Sequence, residues 1–359
     1  MNRPVITFVL LCYNQENFIR GAVEGALSQT YSPMQLVISD DCSQDRTFDV
    51  VQEMVAAYQG PHRIRINRNL TNLGIGGNFS RALEMSDGEL IVAAAGDDIS
   101  IPERTMIIYE AWNDSGCQAT LLHSRHEVID EHGRALEGWP EEGFVGEQGR
   151  FVHQKGTLSN FVRRRQPSIR GATYAISRKL TSLFGPLPKS VTYEDTAFSF
   201  RTILMNGLFT FINLPLVKYR RHRSNVTFAL HGARPCTAVD FSDYQQKQYC
   251  ELDRFIAVYQ CFEADAEKAS RHGLISTAQY PEVKKRILRE GRRLQLRRDL
   301  LVEGWFRRWA IFFALYCSSI RPRELLTQIK HLLPRGIYRA GLLARNRLLS
   351  GISRGQQQN

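Results

Sequence analysis

The stretch VITFVLLCYNQENFIRGAVEGALSQTYSPMQLVISDD, residues 5–41, places one helical pattern between two apolar runs. The runs at 5–13 and 35–39 are continuous and rich in β-branched residues, which is typical of strands buried on both faces. Between them, apolar residues recur at helical spacing. Strand, helix and strand in this order predict a parallel pair joined by a crossover helix.

The same alternation continues to residue 98. Helical patterns over 45–59 and 76–86 alternate with strand patterns over 62–69 and 88–98. We therefore expect an α/β fold with a mostly parallel sheet and helices on both faces. Ligands bind such sheets at the carboxyl ends of the strands. Two of these ends carry adjacent acids, namely Asp40, Asp41, Asp97 and Asp98.

Asp97 and Asp98 repel each other unless positive charge lies beside them. One carboxylate on such a turn can reach a divalent cation while the other hydrogen-bonds a ribose or sugar hydroxyl. Mg²⁺ and Mn²⁺ take oxygen ligands, and their sites combine one or two carboxylates with substrate phosphates. A solvated turn, or a cap for the helix that begins near residue 102, is the alternative interpretation of this pair.

Two further acidic positions have a functional and a structural interpretation. Asp40 ends its strand, so its side chain is expected to project into the crevice and hydrogen-bond a nucleoside. Glu194 and Asp195 open a helical pattern, where acids in the first turn stabilise the helix dipole. Beside a metal-type acid pair, either carboxylate is instead a candidate general base.

Composition and missing motifs exclude several classes of protein. No G-x-G-x-x-G follows the first strand and no G-x-x-x-x-G-K-[ST] occurs, which argues against a nicotinamide enzyme and a P-loop kinase.

The seven cysteines are scattered without C-x-x-C, which favours reduced intracellular thiols. The apolar run at 5–13 lacks a cleavage site, and the one at 309–320 is shorter than the ~20 residues that span a bilayer. We expect no signal peptide and no transmembrane helix.

The carboxyl-terminal segment is strongly basic. Residues 281–359 contain 18 Lys and Arg against 5 Asp and Glu. Their net charge, 18 − 5 = +13, exceeds the net charge of +11 of the whole chain. Aromatic and aliphatic residues are interleaved with these charges, as in basic amphipathic helices that lie on anionic membranes. We expect residues 281–350 to contact such a surface. One alternative is a helical extension that packs on the rest of the protein. The other is binding of nucleic acid, but the sequence contains none of the usual binding modules, so we expect no nucleic acid partner.

The segments VLLCYNQENFIRGAVEGALSQTYSPMQLVISDDCSQDRT (9–47) and NRNLTNLGIGGNFSRALEMSDGELIVAAAGDDISIPER (67–104) resemble family 2 glycosyltransferases of the GT-A fold. The resemblance extends over about residues 4–230. It implies a catalytic domain over 1–235, with nucleotide-sugar binding in 1–105 and the acceptor part in 106–235, followed by a basic helical extension over 236–359. It also implies inverting transfer from a nucleotide-diphosphate sugar, with UDP favoured, to a hydroxyl of a glycan or lipid-linked acceptor. The expected setting is cell-surface polysaccharide synthesis on the cytoplasmic side of the membrane.

The resemblance also implies roles for individual residues. Asp40 contacts the base, with Tyr13 and Glu16 close to the same nucleoside. Asn72, Gly74 and Asn78 lie beneath the nucleotide. Asp97 touches the ribose or sugar, Asp98 ligates the metal (Mn²⁺ or Mg²⁺), and His222 completes the metal or diphosphate site. Of the pair Glu194 and Asp195, Asp195 is the expected base.

The chain departs from the family pattern at the Asp-x-Asp element, where Ala95 or Gly96 replaces the first acid. No Q-x-x-R-W occurs, so the processive synthases of the family are a poor match. His222 lies among arginines and has a solvent-facing alternative. Two other functions stay open: a metal-dependent nucleotidyltransferase, which would release pyrophosphate, and a non-catalytic nucleotide-sugar-binding or membrane adaptor.

Overall fold

The computed structural model describes residues 3–136, 149–158, 169–222, 225, 241–302, 309 and 311. The predicted alternation over the first hundred residues is confirmed. Four parallel strands alternate with three helices: β1 (Ile6–Cys12), α1 (Ile19–Leu27), β2 (Met34–Asp40), α2 (Thr47–Ala56), β3 (Arg63–Arg68), α3 (Gly74–Glu84) and β4 (Leu90–Ala95). Strands β1 and β2 are almost wholly buried, which explains why their sequences are mostly apolar.

The next part of the chain extends the same sheet. Its elements are β5 (Ile99–Ser100), α4 (Arg104–Asp114), β6 (Ala119–Ile129), β7 (Phe151–Lys155), a 3₁₀ turn (Gly171–Thr173), β8 (Tyr174–Ser177), α5 (Arg178–Phe184), α6 (Glu194–Leu204) and β9 (Leu208–Arg220). The described strands form one sheet in the order β3-β2-β1-β4-β8-β6-β9-β5, with β7 paired to β9. The long β6–β9 pair is parallel, whereas β8, β7 and β5 pair antiparallel with their neighbours.

Helix α1 approaches β5 closely enough to require a glycine. A Cβ on Gly25 would lie 2.8 Å from the carbonyl oxygen of Ser100, well inside van der Waals contact. Buried Ile19, Val23 and Ala26 hold the same helix against the sheet. This packing fixes the segment that directly follows Asp97 and Asp98.

The helical pattern expected beyond residue 236 is present in α7 (Phe241–Arg271) and α8 (Gln279–Val302). Most of the predicted membrane-binding segment lies outside the described residues. None of the described helices is long and apolar enough to cross a membrane.

The chain divides into two compact units at boundaries that differ from the predicted one. The first comprises Met1–His222 and Gln260–Arg286, and the second comprises Arg223–Tyr259 and Ile287–Asn359. Within the first unit, the buried Arg201 donates from Nε to Asp265 Oδ2 over 2.7 Å. The rings of Phe200 and Phe262 stack with centroids 4.1 Å apart. These contacts explain why part of the predicted extension belongs to the first unit. Within the second unit, Arg298 Nη1 donates to Asp253 Oδ1 over 2.9 Å.

Candidate active site

The acidic strand ends meet at one edge of the sheet, as predicted. In the parallel register Cys12 pairs with Asp40 and Leu11 pairs with Ala95, so β1 lies between the two acidic ends. Neighbouring strands are about 4.8 Å apart, which puts the ends of β2 and β4 about 10 Å apart. The acids on these strands therefore share one crevice edge.

Residues 96–98, the acidic loop, form a tight turn after β4. The Gly96 N–H donates to Leu11 O over 2.8 Å, and the Asp98 N–H donates to Ala95 O over 3.2 Å. The Asp98 side chain is buried, and its Oδ1 accepts the Arg220 N–H over 2.7 Å. Burial, and then the charge of Asp97, raises the pKa of the Asp98 carboxyl well above its ordinary range. This carboxyl thus joins the loop to β9.

Asp97 faces a different partner. Its Oδ2 lies 3.0 Å from Nε2 of His222, and both side chains are largely buried. The ring of His222 packs on Phe18, with centroids 4.5 Å apart. The solvent-facing alternative for His222 is therefore wrong. Asp97 thus lies beside His222, whereas Asp98, the predicted metal ligand, bonds to β9; its contact with a metal stays a prediction.

The donor set at Asp97 fits a divalent cation that takes few protein ligands. It offers one carboxylate and one imidazole, both common metal ligands. No group of three or more His, Cys, Asp or Glu side chains forms a metal cluster within the described part of the chain. Mg²⁺ and similar ions bound to phosphates need only one or two protein ligands.

Asp40 is more buried than expected for a side chain that projects into the crevice. Its side chain is fully buried, with Oδ2 accepting the Ser43 N–H over 2.9 Å and Oδ1 accepting the Ser43 hydroxyl. Arg68 Nε lies 3.7 Å from Oδ2. Serine three residues after the strand closes a local turn on the carboxylate, so the side chain does not project into the crevice. Its contact with a base stays a prediction.

Asn78 is part of a buried amide network. Its Nδ2 donates to Ser39 O over 3.0 Å, and its Oδ1 accepts from the Ser39 hydroxyl and from Asn69 Nδ2. Asn69 Nδ2 also donates to Asp41 Oδ1 over 2.9 Å. These bonds attach α3 to the ends of β2 and β3. The polar atoms of Asn78 thus hold the floor of the site together.

The rim of the predicted nucleotide pocket carries Tyr13, Glu16, Asn72 and Gly74. Tyr13 is 44% exposed, which suits stacking on a base. Glu16 Oε2 accepts the Arg46 N–H over 3.0 Å and so connects two loops. Asn72 Oδ1 accepts the Gly74 N–H over 3.0 Å, where a φ of +71° favours glycine.

Glu194 and Asp195 begin α6 as a carboxyl pair, in which Glu194 is buried and Asp195 is half-buried. Burial, followed by the charge of Asp195, raises the pKa of Glu194 to about 8. Burial raises the pKa of Asp195 to about 6, against the opposing effects of N–H groups of Thr196 and Gly171 and the charge of Arg170. Solvated first-turn acids show no such shifts, because they are not removed from water. Both carboxyls therefore hold a proton more readily than solvated acids do.

The sequence of this site region matches a known family. The sequence model described as glycosyl transferase family 2 matches residues 7–179. Residues 7–179 are a family 2 glycosyltransferase domain. EpsE of Bacillus subtilis is 28% identical over 159 residues, which are 43% of this chain and 55% of EpsE. The succinoglycan biosynthesis protein ExoO of Rhizobium meliloti is 31% identical over 138 residues, 38% of each chain. This chain thus spans about half or less of these two relatives.

Solved structures show the same GT-A fold as this glycosyltransferase domain. S. aureus TarS superposes with a TM-score of 0.52 at 16% identity, covering 96% of this chain and 52% of that one. Residues 1–349 of TarS in complex with UDP-GlcNAc superpose with a TM-score of 0.51 at 17% identity, covering 94% of this chain and 92% of that one. The predicted fold class is confirmed.

Sequence reasoning missed the cations that offset the acidic loop. Arg104 and Arg220 both lower the pKa of Asp98 through their charges, against burial. Arg104 occupies the start of a helix, where an arginine is ordinarily exposed, and Arg220 is one of several basic residues after β9. The one available signal was the acid pair itself, which requires nearby positive charge.

Proposed function

We propose that the protein is an inverting glycosyltransferase that moves a sugar from a nucleotide-diphosphate sugar to an acceptor hydroxyl. One observation carries the proposal: the pair Asp97 and His222 and the carboxyl pair Glu194 and Asp195 border the same sheet edge. Val92 pairs antiparallel with Ala175, so the start of β8 and the preceding 3₁₀ turn lie at the carboxyl end of β4. This turn reaches the acids of α6, since a Cβ on Gly171 would lie 2.8 Å from Glu194 Oε1.

Asp195 is the proposed general base. Its ionised carboxylate takes the proton of the acceptor hydroxyl while that oxygen forms a bond to the anomeric carbon, and the bond from that carbon to the diphosphate breaks. Burial raises the pKa of Glu194 further than that of Asp195, so Asp195 is the member of the pair that ionises more readily. Asp97 and His222 would hold a divalent cation, Mn²⁺ or Mg²⁺. When bound, this ion neutralises charge on the diphosphate leaving group.

We propose a UDP-sugar donor and a glycan or lipid-linked acceptor in polysaccharide synthesis. TarS binds UDP and UDP-GlcNAc in its solved complexes, and ExoO is named for succinoglycan biosynthesis. A position at the cytoplasmic membrane surface is supported by α8, where Lys285, Arg289 and Arg292 are exposed together with Leu288.

The pH dependence of turnover tests the base. Because burial raises the pKa of Asp195 to about 6, the ionised base is lost as pH falls through that value. We expect kcat/KM for donor hydrolysis to fall about tenfold per pH unit below pH 6 and to level off above it. An acid limb near pH 4, the ordinary value for an aspartate, would contradict this environment.

The two acids of the loop are expected to respond differently to alanine. Asp97→Ala should raise the Mn²⁺ concentration that half-saturates UDP binding by at least about tenfold, with little change in Tm, because a metal ligand is lost. Asp98→Ala should lower the free energy of unfolding by about 1–3 kcal/mol, because the buried Arg220 N–H loses its acceptor. Calorimetric titration and thermal melts measure both. The reverse pattern would assign the metal to Asp98, as the family resemblance implies.

Product analysis separates the competing functions. With Mn²⁺ and a panel of nucleotide sugars, the proposal predicts release of a nucleoside diphosphate that stops on chelation with EDTA. A nucleotidyltransferase would instead form or consume pyrophosphate. A non-catalytic adaptor would bind the donor without turnover, and either result would overturn the proposal.

A further inference from the structure

Arg104 is a fully buried arginine whose guanidinium joins two parts of the site. Its Nη1 donates to Ser100 Oγ over 2.8 Å, and its Nη2 donates to Ala93 O over 2.7 Å and to Ala172 O over 2.9 Å. Ala93 and Ser100 flank the acidic loop on either side. Ala172 is the middle residue of the 3₁₀ turn. One side chain therefore connects the acidic loop to this turn.

The 3₁₀ turn in turn contacts the carboxylates of α6. A Cβ on Gly171 would lie 2.8 Å from Glu194 Oε1 and 3.8 Å from Asp195 Oδ2, so the backbone of the turn borders both carboxylates. A displacement of the turn would therefore change the surroundings of the Asp195 carboxylate. The chain of contacts runs from the acidic loop through Arg104 and the turn to the base.

Packing alone does not account for a guanidinium at this position. A buried cation is costly unless it is paired and hydrogen-bonded, whereas a methionine would occupy a similar volume without that cost. Three hydrogen bonds and the face of Phe8, 5.7 Å from the guanidinium carbon, compensate the charge. Burial lowers the pKa of Arg104 to about 9, so the group stays charged at neutral pH.

We propose that Arg104 is a positioning residue that sets the distance between the donor bound at the acidic loop and the base Asp195. This inference rests on the proposed function. The loop has anchors of its own, in the bonds of Gly96 to Leu11 and of Asp98 to Arg220. Loss of Arg104 therefore moves the turn and the base more than the donor. A shift of 1 Å in a reacting geometry costs on the order of 10²-fold in rate.

The test compares Arg104→Lys and Arg104→Met with wild-type protein in donor hydrolysis. The probe is whichever of UDP-GlcNAc, UDP-glucose and GDP-mannose the wild type hydrolyses fastest with Mn²⁺. We expect kcat of Arg104→Met to fall on the order of 10²-fold, with the Kd for UDP and Mn²⁺ within about threefold. Arg104→Lys, which keeps the charge and part of the bonding, should lie between Arg104→Met and wild type.

The pH profile gives a readout that a purely structural role would not move. The titratable and charged groups facing Asp195 are Glu194, Tyr174 and Arg170, and the N–H groups of Thr196 and Gly171 also face it. The Gly171 N–H lowers the pKa of Asp195 by favouring the ionised carboxylate, so a shift of the turn away from this carboxylate raises that pKa. We therefore expect the acid limb of kcat in the Arg104 variants to move to higher pH.

Arg178→Lys is the matched control. Arg178 also donates to two backbone carbonyls, Gly88 O over 2.6 Å and Ser86 O over 2.7 Å, but at the opposite end of β4. It should leave kcat and the acid limb unchanged. The inference would be overturned if Arg104→Lys lost UDP affinity and kcat in parallel. It would also be overturned if the Arg104 variants kept the kcat and the pH profile of Arg178→Lys. Failure of both Arg104 variants to fold would do the same, by making Arg104 a core residue. No turnover by wild-type protein would overturn the proposed function as well.

Discussion

Asp195→Asn is expected to lower kcat by about 10³-fold while leaving the affinity for UDP and Mn²⁺ unchanged. The asparagine keeps the size of the side chain but cannot accept the proton of the acceptor hydroxyl, and general-base catalysis contributes about 10²–10⁴-fold. Donor contacts are expected at the ends of β1, β2 and β4, which the substitution does not touch. Initial rates of nucleoside diphosphate release and calorimetric titration of UDP measure the two quantities.

Ser199→Ala is a matched control on the same helix. Its hydroxyl donates to the backbone carbonyl of Asp195 over 2.8 Å, so the substitution removes a contact to that residue and leaves its carboxylate intact. We expect kcat within about twofold of wild type. Near-full turnover in Asp195→Asn would exclude Asp195 as the base and make Glu194 the remaining candidate of the pair.

Asp265→Ala is expected to lower the free energy of unfolding by about 3–5 kcal/mol. The substitution leaves the guanidinium of Arg201 buried without its carboxylate, and an uncompensated buried charge carries a cost of this size. Urea denaturation followed by circular dichroism measures the loss. The result also tests whether residues 260–286 contribute to the stability of the first unit.

The double variant Arg201→Met with Asp265→Leu controls for loss of packing. Replacing both members of a buried pair with apolar side chains is often neutral or stabilising, so stability should recover most of the loss. The single variants for comparison are Arg201→Met and Asp265→Leu. If the free energy of unfolding lost in the double variant equals the sum of their two losses, the side chains of the pair are not coupled. In that case apolar contacts such as the stacking of Phe200 on Phe262 would hold this helix in place.

The sequence predicts the first half of the fold well because its signals are local. The continuous apolar runs of β1 and β2 and the helical spacing in α1 require no knowledge of distant contacts. The helical pattern that opens at Glu194 is likewise local and corresponds to α6. The predicted boundary near 235 rests on a change of local pattern, which carries no signal for the contact between Arg201 and Asp265, 64 residues apart.

The site was predicted in its composition more than in its orientations. Two adjacent aspartates on a turn give no local signal for which one faces the crevice. The N–H of Arg220, 122 residues away, turns Asp98 inward, and His222 faces Asp97 across 125 residues. The buried state of Asp40 likewise depends on Ser43 closing a turn, which the sequence permits but does not require. Arg104 gave no signal, since a cation in a first helical turn is ordinarily solvated.

The most direct measurement is NMR spectroscopy of α-linked nucleotide sugars, UDP-GlcNAc first, incubated with the protein and Mg²⁺. With water as acceptor, we predict ³¹P signals of a free nucleoside diphosphate and, before mutarotation, the ¹H signal of a β-configured sugar. Release of the α-configured sugar would contradict inversion with Asp195 as a direct base. Formation of pyrophosphate or of a sugar phosphate would contradict glycosyl transfer itself.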